Sequence, residues 1–116
     1  MSTRSKSWTG GIERRPGAII LRLGGSLTFG EADAFRLAME TMAGEESPLV
    51  VLDMAEVDFM CSMGLGAIVS LHVKSRHHEG KIRLAGPQPN VRDLFETTRL
   101  THIFPIFPDV PSAVVG

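Results

Sequence analysis

A cysteine, a serine and a methionine stand in a row at residues 61–63, directly before Gly64-Leu65-Gly66. The stretch Val57 to Gly66 reads as a strand, a tight turn and a helix start, because an apolar run precedes it and helically spaced apolar residues follow from Leu65 to Arg76. Ser62 at a helix start has two uses. Its oxygen can satisfy a free backbone N–H as an N-cap, and the partial positive charge of the same helix end favours a phosphoryl group. Cys61 at that end is either a stabilised thiolate able to sense redox state or a small buried hydrophobe.

Catalysis asks for a nucleophile, a base and a group that orients the base. Ser62 lacks the Gly-x-Ser-x-Gly elbow, since Met60 and Gly64 occupy the flanking offsets. The histidines are His72, His77, His78 and His102. His72 and His77 miss the i, i+4 spacing by one residue, and no glutamate completes a zincin pattern, so no metal site is expected. Gly24-Gly25 and Gly64-x-Gly66 carry neither a Gly-Lys-Ser/Thr ending nor a dinucleotide fingerprint. No catalytic residue and no cofactor is assigned. A surface for another protein remains.

The elements that must position this turn follow from periodicity and punctuation. Residues 1–7 are small, polar and basic and read as a mobile tail, leaving residues 8–116 as a single domain. Trp8 to Arg14 and Ala18 to Leu23 flank Arg15-Pro16-Gly17 and predict a hairpin, with Gly24-Gly25-Ser26 ending its second strand. Phe29 to Met42 has amphipathic spacing, with Thr28 as N-cap, Glu31 completing a capping box and Gly44 at the stop. Leu49 to Asp53 is apolar on both faces and belongs mid-sheet. The helix from Gly64 to about His78 places Leu65, Ile68, Val69 and His72 on one stripe, widened by Leu71 and Val73. Lys81 to Leu84 is a strand, Pro89 to Thr98 a helix with Val91, Leu94 and Phe95 inward, and Ile103 to Phe107 an edge strand because Pro105 cannot donate. Asp109-Val110-Pro111 opens a last short helix. The expected fold is α/β, a small mixed sheet of about five strands with helices mainly on one face.

Composition excludes several partners. The 116 residues suit one domain, and a formal net charge of -1 offers no basic excess for nucleic acid or an anionic membrane. No apolar run nears the roughly 20 residues of a membrane helix, and the polar amino terminus lacks a signal core, so a cytoplasmic protein is expected. One cysteine rules out an internal disulfide and a cysteine-cluster metal site.

Phe59-Met60-Cys61-Ser62-Met63-Gly64-Leu65-Gly66 resembles the signature of STAS domains, the family of bacterial anti-sigma-factor antagonists, whose usual form is Asp-Ser-Ser-Gly-Leu-Gly. Leu23-Gly24-Gly25-Ser26-Leu27, Arg83-Leu84-Ala85-Gly86-Pro87 and Val91 to Thr98 stand in the matching order, so the resemblance covers nearly the whole chain. It implies a non-enzymatic module that binds an anti-sigma factor of histidine-kinase-like ATPase fold. In that family the second serine accepts phosphate from the partner kinase, which switches binding off; here that position is Met63, the aspartate position is Cys61, and Ser62 keeps the first serine. Thr28 stands where an aspartate usually shapes the partner surface. The implied partner-binding set is Thr28, Cys61, Ser62, Met63, Gly64 and Leu65, with Ser62 the phosphorylation candidate. Met63 is either an exposed interface anchor or folded onto the core. A binder that cannot be switched off in the usual way is favoured slightly over a switch moved to Ser62. Alternatives that the resemblance leaves open are an accessory subunit of a lipid ABC transporter and a stress-sensing scaffold that assembles with itself; a weak homodimer stays open as well.

Overall fold

The structure, a computed structural model, describes residues 9–27, 32–43, 48–76 and 80–116. Pro16-Gly17 reverses the chain between β1 (Thr9–Arg15) and β2 (Ala18–Leu27), which pair antiparallel from Arg15 opposite Ala18 to Thr9 opposite Gly24. Gly17 takes a φ of 78°, a left-handed conformation that only glycine adopts freely. β3 (Leu49–Met60) lies parallel to β2, β4 (Lys81–Ala85) parallel to β3, and β5 (Ile106–Phe107) parallel to β4. The sheet order is β1-β2-β3-β4-β5. The sheet is therefore mixed and five-stranded, with β3 at its centre.

Three helices cover one face: α1 (Ala32–Ala43), α2 (Ser62–Ser75) and α3 (Pro89–Thr97). Ile19, Leu21, Leu52 and Leu84 of the sheet meet Phe35 and Met39 of α1, Ile68 and Leu71 of α2, and Val91 and Phe95 of α3 in one core. A fourth helix, α4 (Val110–Val115), packs on the opposite face, where Ala113 covers Ile20, Val51 and Ala85. Strands that are apolar on both faces demand this second cover. The Asp109 carboxylate caps α4 by accepting the Ser112 N–H at 2.9 Å, and that bond holds its pKa below the usual aspartate value. Arg83 donates to the Ala113 carbonyl at 2.8 Å and lies over the Phe107 ring, clamping α4 to the sheet.

Several boundaries differ from expectation. Gly24-Gly25-Ser26 does not end β2, which runs on to Leu27. Leu49 to Asp53 and Val57 to Met60 are one strand, not two pieces. α2 begins at Ser62 and ends at Ser75, and Val73 is 55% exposed, pointing away from the stripe it was expected to widen. The segment expected as an edge strand from Ile103 narrows to β5, because Leu100–His102 form a turn of 3-10 helix after Arg99 at a φ of 62°. Pro105 still joins the ladder as an acceptor, taking the Leu84 N–H at 2.9 Å. The expected tail, the Thr28 cap with Glu31, and His77 and His78 lie outside the described residues.

Candidate functional site

β3 outruns β4. Its pairing with β4 stops at Asp53 opposite Ala85, while its pairing with β2 continues to Met60 opposite Leu27. Along this extension the register slips twice: Arg22 to Gly24 is matched by Asp53 to Glu56, and Gly25 to Ser26 by Val57 to Phe59. Each slip gives β3 one extra residue, the mark of a β-bulge. The consequence is visible in burial, since the inward residues Met54, Val57 and Met60 recur every third position and leave Asp58 and Phe59 outside. Gly25, at a φ of 84°, supplies the backbone that this irregular pairing needs.

The other side of the extension is held by side chains. The Gln88 amide donates to the Ala55 carbonyl at 2.9 Å, and the Asn90 amide donates to the Asp58 carbonyl at 2.8 Å. Both come from the start of α3, so two side-chain amides stand in for a missing strand. No periodicity announces these two residues; polar side chains flanking Pro89 at a helix start are their only trace in the sequence.

Cys61 joins strand to helix. Its N–H donates to the Leu27 carbonyl at 2.8 Å, and its own carbonyl accepts the Leu65 N–H at 3.2 Å. It therefore closes the β2–β3 pairing and opens α2 as the N-cap, with no hydrogen bond from its side chain. Ser62 was expected in that place. It is instead the first helical residue, where a serine side chain no longer meets the capping N–H groups. Cys61 is 6% exposed, the setting of an inert packed thiol rather than a reactive one.

Gly64 is buried, and a Cβ added there would sit 3.2 Å from Met60 Cγ and 3.6 Å from Leu27 Cβ. Glycine thus lets the first turn of α2 settle onto the end of the sheet. Leu65 anchors the same turn from below. Of the described residues expected at a partner surface, Cys61, Gly64 and Leu65 are buried and shape the turn, while Ser62 and Met63 reach solvent. Met63 is 51% exposed, which settles its orientation outward. Phe59, which opens the 59–66 stretch expected to dock a partner but is not among the residues singled out there, is 49% exposed, because the bulge turns it outward. Phe59, Met60, Asn90, Val91 and Leu94 line a groove of about 210 Å³ next to the turn.

The remaining expected chemistry disperses. His72 packs edge-on against Phe104 with ring centroids 5.5 Å apart, and burial, then Arg76, pushes its pKa below the usual histidine value. His102 lies on the 3-10 turn. Among the described residues, no three His, Cys, Asp or Glu side chains gather to hold a metal, and no helix is long and apolar enough to cross a membrane.

Comparison with known proteins gives this geometry a family. An anti-sigma F factor antagonist of Paenibacillus polymyxa is 28% identical over 104 residues, covering 89% of each chain. An anti-sigma factor antagonist from Mycobacterium paratuberculosis superposes with a TM-score of 0.85 at 24% identity, covering 94% of this chain and 92% of its own. The Bacillus cell fate determinant SpoIIAA in its phosphorylated form superposes with a TM-score of 0.71 at 18% identity, covering 92% of this chain and 97% of its own. At those identities the two structures speak for the fold. The STAS domain profile itself matches residues 11–113, and with nearly the whole described sheet and its helices inside that match, the chain belongs to the STAS domain family.

Proposed function

We propose that this protein is an anti-sigma-factor antagonist, a regulatory binding module that docks a histidine-kinase-like anti-sigma factor through residues 59–66 and the first turn of α2. The observation that carries the reading is Met63, half-exposed on that turn where the resembled family has its acceptor serine. Phe59 and Met63, before and after Ser62 in the sequence, are exposed apolar side chains, and the groove beside Phe59 offers a seat for a partner side chain. The names of the sequence relatives support the same role.

Methionine cannot accept phosphate, so the antagonist escapes the usual inactivation. Phosphorylation blocks docking by adding charge at the contact. A fixed apolar side chain at the same point leaves the surface permanently receptive, and Ser62, exposed one residue earlier, is the acceptor that remains. Recovery of the native complex from the source organism tests this. A co-purifying kinase-fold anti-sigma factor with unmodified Ser62 is the expected result. Phosphate on Ser62 would move the switch there, and a transporter ATPase subunit as the partner would overturn the assignment. Met63→Asp should abolish binding, whereas unchanged affinity would remove Met63 from the interface. Met63→Ser should gain one phosphoryl group from the partner kinase and ATP.

A further inference from the structure

Methionine sulfur is spread unevenly through the described side chains. Met39, Met54 and Met60 are 5% exposed or less and belong to the core, whereas Met63 is 51% exposed on the first turn of α2. Helical side chains lean toward the amino terminus, so a residue three or four places further on is the one that would cover Met63. Those places hold Gly66, where even an added Cβ would meet nothing within 4 Å, and Ala67, which is buried. The next turn of the helix therefore puts no large side chain over the Met63 thioether.

A thioether cannot accept a phosphoryl group, but it accepts an oxygen atom. The sulfur lone pair attacks one oxygen of a hydroperoxide, and an S–O bond forms as the O–O bond breaks. With hydrogen peroxide the other product is water, the sulfur being oxidised by two electrons and the peroxide reduced by two. A sulfoxide reductase reverses the change with two electrons from a pair of thiols, which leave as a disulfide while the oxygen leaves as water. Oxidation turns a flexible apolar side chain into a polar one. At a docking contact the new oxygen has to be stripped of water, and burying a polar group without a partner is unfavourable. The fold meets no such penalty, because Met63 already faces solvent.

We propose that Met63 is an oxidation site whose sulfoxide, formed by hydroperoxides and removed by a thiol-dependent reductase, closes the docking surface that no kinase can close at this residue. The switch rests on the docking role proposed above for the turn; the selectivity of the oxidation rests on exposure alone.

The test begins with limited hydrogen peroxide on the folded full chain, followed by peptide mass spectrometry. An added oxygen should reach Met63 several-fold faster than Met39, Met54 or Met60, and equal rates would overturn the site. Affinity for the anti-sigma factor recovered with the native complex is then measured. Oxidised protein should bind about tenfold or more weakly than untreated protein, the scale of burying an uncompensated polar group, with its thermal midpoint unchanged. Methionine sulfoxide reductase with dithiothreitol should restore binding; recovery with dithiothreitol alone would assign the effect to Cys61 and overturn the proposal. Met63→Leu keeps an apolar side chain of similar size and should bind equally before and after peroxide. Unchanged affinity of the oxidised protein, or a loss on peroxide treatment in Met63→Leu, would overturn the switch and leave the docking role standing. No binding by untreated protein would remove the docking role itself, and the switch with it.

Discussion

The two halves of β3 solve different problems with one strand. Leu49 to Asp53 has a strand on each side in regular register, with Leu21, Leu52 and Leu84 aligned across the sheet and buried. Met54 to Met60 has β2 on one side, through two bulges, and the amides of Gln88 and Asn90 on the other. The first half holds the fold; the second displays a turn. Irregular pairing in the second half places Phe59 and Met63 in solvent while Met60 and Cys61 remain inside. A strand can thus carry stability at one end and display an exposed turn at the other, provided that something other than a ladder fixes the exposed end.

The contrast can be broken most severely in the first half. Leu52→Ala removes a fully buried side chain and should cost about 2–5 kcal/mol, read from denaturant midpoints; a much smaller loss would mean that the centre of the sheet is not where stability resides. In the second half, Gln88→Ala combined with Asn90→Ala strips two carbonyls of their donors and should cost about 1–2 kcal/mol. Hydrogen exchange sharpens the comparison there. Amides near Val57 to Met60 should speed up while those of Val50 to Leu52 keep their protection, and a uniform change would show that the halves do not differ.

Acid probes the structure from outside both halves. Burial, with Arg76 nearby, holds the His72 pKa in the folded protein below the usual histidine value of 6.5, so the unfolded chain binds the proton more readily. Its contribution to stability is present above pH 6.5 and is lost as the pH falls through the lowered folded value. Replacing His72 with Phe should flatten that part of the stability profile; an unchanged slope would assign it to another group. The smallest effects belong to the displayed turn. Ser62→Ala should change stability by less than about 0.5 kcal/mol, against the cost of about 1 kcal/mol expected of a lost N-cap. Met63→Asp should also be nearly neutral for folding, since an acidic residue suits the first turn of a helix. Calorimetry of both variants checks these values.

What could be read from residues alone follows the same division. Pro16-Gly17, the apolar run from Leu49 and the spacing of Val91 and Phe95 announce a hairpin, a central strand and an inward helix face, because each obeys a fixed local period. Asp53, Glu56 and Asp58 hide the second half of β3, since polar residues arriving at a bulged spacing match neither a strand nor a helix pattern. The displacement of the cap from Ser62 to Cys61 has a similar origin. Serine is the better capping residue by type, but the backbone bond from Cys61 to Leu27 decides where the helix begins. Phe59 is not legible as a surface residue because its outward turn depends on a register set by Gly25, far away in the chain. Long-range pairing, rather than local preference, positions the site.

The cover on the far face of the sheet has a practical consequence. α4 spans six residues, too short to hold a helix by itself, so its persistence rests on Asp109, the Arg83 clamp and the contact with Ile20 and Val51. Clipping the chain after Pro108 would uncover an apolar stripe on an otherwise intact sheet. Such a fragment should keep the turn at residues 59–66 yet clump on storage, and intact mass is therefore a useful quality check on any preparation before its assembly state is measured.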